Sequence, residues 1–218
     1  MDARSKNLAG VFLTAALAVL VGTTQAAGPK GAGSRAAGGK SGKSYYWYDG
    51  VKKRPISTDP ELLAEFGQFE KGASPADGGA VAIQTVSPKA EVESVPAKGV
   101  RLWKLPPESD GESVAPAASS KEPAGRFSPV FRDGRGGRMR ALPGGIVVQL
   151  DSKLSDKEAR EWARAKGLAV RKKLSLPGNY YVLDTKPGLE ALEKANALYE
   201  SGEVLSASPD WWQEAQAK

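Results

Sequence analysis

The stretch GGIVVQLDSKLSDKEAREWARAKGLAVRKKLSLPGNYYVLDTKPGLEALEKANALYESGEVLSASPDWW, residues 144–212, decides the reading of the fold. Its apolar runs and helical patterns come in the order strand, helix, strand, strand, helix, strand. Residues 145–150 form the first strand, with β-branched Ile146, Val147 and Val148, and lie between Pro143-Gly144 and Asp151-Ser152, which are turn residues. Ser155 with Glu158 three positions on forms a capping box, whose side chains satisfy backbone N–H groups that a first helical turn leaves unpaired. Ala159, Trp162, Ala163 and Lys166 then fall on one helical stripe, which Gly167 ends. Residues 168–174 alternate, with Leu168, Val170 and Leu174 on one side and Arg171 and Lys173 on the other. Leu176-Pro177-Gly178-Asn179 is a turn by composition, and residues 180–183 form a third strand. Pro187 opens a second helix in which Leu189, Leu192, Ala195, Leu198 and Tyr199 recur at helical spacing before Gly202. Residues 204–207 make the last strand, ended by Pro209.

This order predicts an α+β chain: a ferredoxin-like β-α-β-β-α-β sandwich over residues 144–212, with both helices on one face of an antiparallel sheet. The other face is then uncovered, and Val147, Gln149, Arg171, Lys173 and one alternating set of the third strand are expected on it. A mixed apolar and charged surface of that kind suits docking. A body of about 70 residues carries only a few kcal/mol of net stability, so it gains from a partner.

The rest of the chain divides by composition. Residues 1–26 read as a secretory signal: Arg4 and Lys6 precede an apolar run, and Thr24-Gln25-Ala26-Ala27 offers small residues for cleavage. The mature protein is therefore expected in the periplasm or outside the cell. Residues 27–44 read as a Gly/Lys-rich flexible linker; its Gly-Lys-Ser triplets lack the glycine spacing, preceding strand and following helix of a phosphate loop. Residues 45–70 read as an aromatic hairpin, Tyr45-Tyr46-Trp47-Tyr48 turning at Asp49-Gly50, followed by a short helix opening at Pro60. The four aromatics are expected to pack on the C-terminal body rather than to form a carbohydrate or protein docking strip. Residues 71–125 read as a low-complexity linker with short extended segments, residues 126–143 as an extended segment, and residues 213–218 as a tail.

The 218 residues carry a net charge of +6 and include neither histidine nor cysteine. That composition rules out a Ser-His-Asp triad, an imidazole zinc site, a thiol nucleophile and every disulfide. Asp156, Glu158 and Glu161 sit at the start of a capped helix, where anions suit the dipole. The chain is expected to be a binding protein, not an enzyme, with no cofactor and no metal. Lys30, Arg35, Lys40, Lys43, Lys52, Lys53 and Arg54 face only Asp49 in the first part of the mature chain. This basic arm is expected to make weak contact with an anionic envelope surface, and no nucleic acid partner is expected.

The run GGIVVQLDSKLSDKEAREWARAKGLAV, then LPGNYYVLDT, then LEALEKANALYESGEVLSASPDWW, resembles the N-terminal propeptide of subtilisin-like serine proteases, especially the long fervidolysin-like prodomains. Weaker likeness extends to YYWYDGVKKRPI and RFSPVFRDG. The resemblance implies a domain that assists folding of the protease and then inhibits it. It implies that the open sheet face packs on the enzyme and that the segment after the last strand lies along the substrate cleft. Here that segment is residues 209–218, with Trp211, Trp212, Gln213, Glu214, Ala215, Gln216, Ala217 and Lys218 as the expected protease contacts. A propeptide would continue into a catalytic domain, whereas this sequence stops, so the resemblance implies a free-standing version acting on a separately made protease. The alternative is an envelope-binding or assembly module without a protease, using the basic arm and the hairpin.

Overall fold

A computed structural model describes residues 41–70, 80–121, 126–134 and 137–215. Residues 1–40, which hold the expected signal and most of the expected linker, and Gln216, Ala217 and Lys218 lie outside the described residues. The strands are β1 (Ser44–Asp49), β2 (Lys52–Phe66), β3 (Glu91–Ala97), β4 (Val100–Lys104), β5 (Arg126–Arg132), β6 (Met139–Ala141), β7 (Ile146–Leu150), β8 (Val170–Lys173), β9 (Asn179–Leu183), β10 (Ser206–Pro209) and β11 (Trp212–Gln213). The helices are α1 (Ala80–Val86), α2 (Gly111–Ser119), α3 (Asp156–Ala165) and α4 (Leu189–Glu200).

The expected α+β class is overturned. The chain is mostly β, with the described strands in two antiparallel sheets and short helices against them, and it is not a ferredoxin-like sandwich preceded by linkers. The larger sheet runs β11-β6-β5-β2-β4-β3, with β1 also paired to β2, and the smaller runs β10-β7-β9-β8. The sandwich reading failed because residues 44–143, taken as hairpin and linker, build a sheet larger than the one predicted.

β2 organises that larger sheet. One of its edges takes β1 along residues 52–57 and β4 along residues 62–66, while the other takes β5. The helix predicted from Pro60 onward is instead the second half of this strand. Leu62, Ala64 and Phe66 point into one apolar layer and Leu63 into another, the two-residue alternation of a strand buried on both faces. Pro60, which cannot donate to a ladder, sits where the pairing with β5 shifts between Asp59 and Leu63.

The stretch read as low-complexity linker also carries ordered elements. Residues 81–86, β-prone by composition, are helical, with Ala82 and Ile83 buried beneath β4 and α2. Asp110 caps α2 by accepting from the backbone N–H groups of Glu112 and Ser113, and Val114, Ala115 and Ala118 bury one side of that helix. Within this layer Glu65 and Arg101 are both fully buried; Trp103 Nε1 donates to Glu65 at 2.9 Å, and the Arg101 guanidinium lies 4.0 Å from the Phe69 ring centre. Burial pushes the Glu65 carboxyl up, against the opposing pull of Trp103 and Arg101.

A shared core welds the sheets together. Trp47, Ile56, Phe131 and Leu142 bury with Leu192 of α4, and Trp211 closes the group edge-on to Trp47 at 5.7 Å and to Phe131 at 5.5 Å. The aromatic hairpin lies on α4 as expected: Tyr48 sits 4.2 Å from Tyr199, and the Tyr46 and Tyr48 hydroxyls both donate to Glu200. Its turn is one residue later than the Asp49-Gly50 pair implied. Asp49 pairs with Lys52, so Gly50 at φ 59° and Val51 form the loop.

Candidate functional site

The outer face of the smaller sheet is the surface the sequence singled out. β7 alternates: Ile146, Val148 and Leu150 are fully buried in the core beneath α3 and α4, and Val147 and Gln149 point outward, half-buried. Register fixes their neighbours. Val147 lies between Ser208 of β10 and Val182 of β9, and Val182 in turn faces Lys172 of β8. Gln149 lies between Ser206 and Tyr180, whose hydroxyl donates to Gln149 Oε1 at 2.9 Å. Gly178 makes room for that pair: a Cβ there would stand 3.0 Å from the Tyr180 ring.

Sequence reasoning placed Lys173 on this face, and the structure puts it on the other. An irregularity between Val170 and Lys172 adds one residue to β8, so Lys172 pairs with Val182 on the outer side and Lys173 pairs with Tyr181 on the helical side. A slip of one residue exchanges the faces of everything after it. Lys173 Nζ donates to Asp156 at the start of α3 at 2.6 Å and lies 5.5 Å from the Tyr181 ring centre. The bond to Asp156 raises the Lys173 ammonium above its usual range, and the same bond, with a second from Tyr181, lowers Asp156. Burial first, then the bond to Asp156, raises the Tyr181 hydroxyl.

Arg171 stays at the border of the outer face and is held there. Its Nε donates to Asp184 at 2.6 Å, and its guanidinium also reaches the Gly144 carbonyl and Asp210. The face that results has a valine pair at its centre, a tyrosine–glutamine pair beside it, two serines at one edge and Lys172 at the other. Val182 is only 2% exposed although it points outward. Such a surface can bury apolar area and exchange hydrogen bonds with a partner, and it holds no paired nucleophile and base.

The predicted tail is used inside the molecule. Trp211 enters the shared core, Trp212 and Gln213 form β11 against β6, and the Glu214 N–H donates to the Met139 carbonyl. Of the remaining predicted contacts, Ala215 is exposed and Gln216, Ala217 and Lys218 lie outside the described residues. Lys172, Tyr180 and Val182 belong to the face; the alternation of β9 pointed to the last two as one of two sets, and nothing in the sequence marks the irregularity that brings Lys172 there. Among the described residues no group of three or more Asp or Glu side chains is placed to hold a metal ion. No family model, curated protein or solved structure matches the chain.

Proposed function

We propose that this protein is an exported, non-enzymatic binding protein that docks on a separately encoded subtilisin-like serine protease, assisting its folding and inhibiting it. The outer face of the smaller sheet makes the contact. The observation that carries this reading is the surface around Val147, Gln149, Tyr180 and Lys172, backed on its other side by both α3 and α4. The resemblance of residues 144–212 to subtilase propeptides supplies the class of partner. The docked state of Trp211, Trp212, Gln213 and Glu214 favours the sheet face over the tail as the contact.

The test is inhibition and folding yield of a subtilisin-like protease, with and without this protein. Val147→Arg is expected to weaken inhibition at least about tenfold, the scale of one central interface residue, while a chain ending at Gln213 keeps full potency. Equal potency of Val147→Arg and the native chain, or no effect of the protein on any such protease, would overturn the reading.

The hairpin tip supports a second reading, as an envelope-binding module. Val51 is 81% exposed between Gly50 and the exposed Lys52 and Lys53, an apolar and basic point suited to an anionic surface. Salt-sensitive binding to envelope polymers that Lys52→Glu weakens at the exposed tip, with circular dichroism staying native, is the result that favours it.

A further inference from the structure

A cleft of about 590 Å³ opens between α2 and the start of α4, within the range of small-molecule sites. Phe127 and Pro129 of β5 form its floor, Ala115 and Pro116 one wall, and Pro187 and Leu189 the other. The walls stand apart for local reasons. Gly188, at φ +82°, turns the chain into α4 at a point where a Cβ would stand 3.4 Å from the Pro129 ring. Pro116 lies inside α2, with no N–H to return to the helix.

The charges at the cleft do not cancel. Two carboxylates line it and both are committed: Glu112 accepts from Lys43, Tyr45 and Thr58, and Glu190 pairs with Lys194 at 2.8 Å. Two cations line it as well. Lys186 is exposed and makes no side-chain ion pair among the described residues, although its charge and backbone N–H both act on Glu190. Arg126 donates to the Pro143 carbonyl and has no carboxylate within ion-pair distance among the described residues. Burial, and then the neighbouring Arg171, lower the Arg126 guanidinium from its ordinary value, against the opposing pull of Asp184.

We propose that this cleft binds a single-chain amphipathic carboxylate, with its apolar body over Phe127, Pro129 and Leu189 and its head against Lys186 and Arg126. The apolar walls select a hydrocarbon body. Lys186 and Arg126, neither in a side-chain ion pair among the described residues, select a carboxylate head over an alcohol or an amine.

The test titrates the full chain with decanoate below its micellar range, against decanol and hexanoate, by calorimetry and amide chemical shifts. Decanoate is expected to bind saturably at one site, shifting the Ser119, Phe127 and Leu189 amides. Hexanoate binds more weakly by about fourfold for each missing CH2. Decanol binds about tenfold more weakly than decanoate, on the scale of one charge-assisted contact. Lys186→Glu weakens decanoate by a similar factor and leaves decanol unchanged. Ser120→Trp, an exposed rim position, blocks both ligands while circular dichroism stays native. The proposal is overturned by an absence of saturable decanoate binding, or by binding that neither variant alters.

Discussion

Replacing Glu112 by alanine is expected to destabilise the protein by about 2–4 kcal/mol. Its side chain is 9% exposed and accepts three hydrogen bonds: from Lys43 Nζ at 2.7 Å, from the Tyr45 hydroxyl at 2.9 Å and from Thr58 Oγ1 at 2.9 Å. The lysine is 71% exposed, so its share is small after solvent screening. The two hydroxyls are partly buried, and a hydrogen bond to a charged acceptor is worth about 1.5–3 kcal/mol. Relief from burying the carboxylate returns part of that, which sets the upper limit. Because a domain holds only about 5–15 kcal/mol, the loss moves the urea midpoint by roughly 1–2 M. Glu112→Gln, which keeps one acceptor oxygen and the side-chain shape, is expected to lose about half as much. A pH series adds an independent check. Burial, and then the bond to Glu112, hold the Tyr45 hydroxyl up to about 12. Its contribution is therefore complete below the unfolded value of 10.0 and is lost as pH rises toward 12. In Glu112→Ala that alkaline decline becomes shallower. A midpoint within about 0.5 kcal/mol of the native protein at unchanged slope would refute the account of Glu112 as the latch between β1, β2 and α2.

Trp211→Ala is expected to cost about 2–3 kcal/mol, less than a fully enclosed tryptophan because the ring is only partly buried. Urea unfolding measures it, and a loss below about 1 kcal/mol would mean the edge-on contacts with Trp47 and Phe131 do not hold the seam. Lys173→Met is expected to flatten the acid limb of stability. Asp156 is lowered chiefly by Lys173, so its contribution is present above the ordinary carboxylate value and disappears as pH falls through the lowered one. Urea midpoints between about pH 2 and 5 check this; parallel acid limbs in the two proteins would disprove it.

Local signals in residues 144–212 were readable because short-range chemistry sets them. The Ser155–Glu158 box closes as written, with Glu158 accepting from the Ser155 N–H and Ser155 Oγ accepting from the Glu158 N–H. β7 keeps the inside-outside alternation of its β-branched residues. What escaped reading depends on long-range pairing. Pro60-Glu61-Leu62-Leu63 carries the marks of a helix start, but β4 and β5 flank that segment and hold it extended. Val81 to Val86 has strand composition and is a helix because Ala82 and Ile83 find a buried layer under α2. The extra residue in β8 has no glycine or proline to announce it, so the side on which Lys173 falls could be learned only from the pairing with β9. Trp211 and Trp212 read as an exposed docking tail for the same reason: their partners, Trp47, Phe131 and Ala141, lie far upstream in sequence.

The return of the chain from β10 to β11 has a consequence for biosynthesis. β6 can receive its outer neighbour only after translation has reached Trp212 and Gln213, so the larger sheet, though its other strands are made much earlier, stays unsealed until then. A nascent chain arrested before that point, or a mature one clipped between β10 and β11, would leave Trp47 and Phe131 facing water. It would then be a substrate for quality control rather than a smaller working protein.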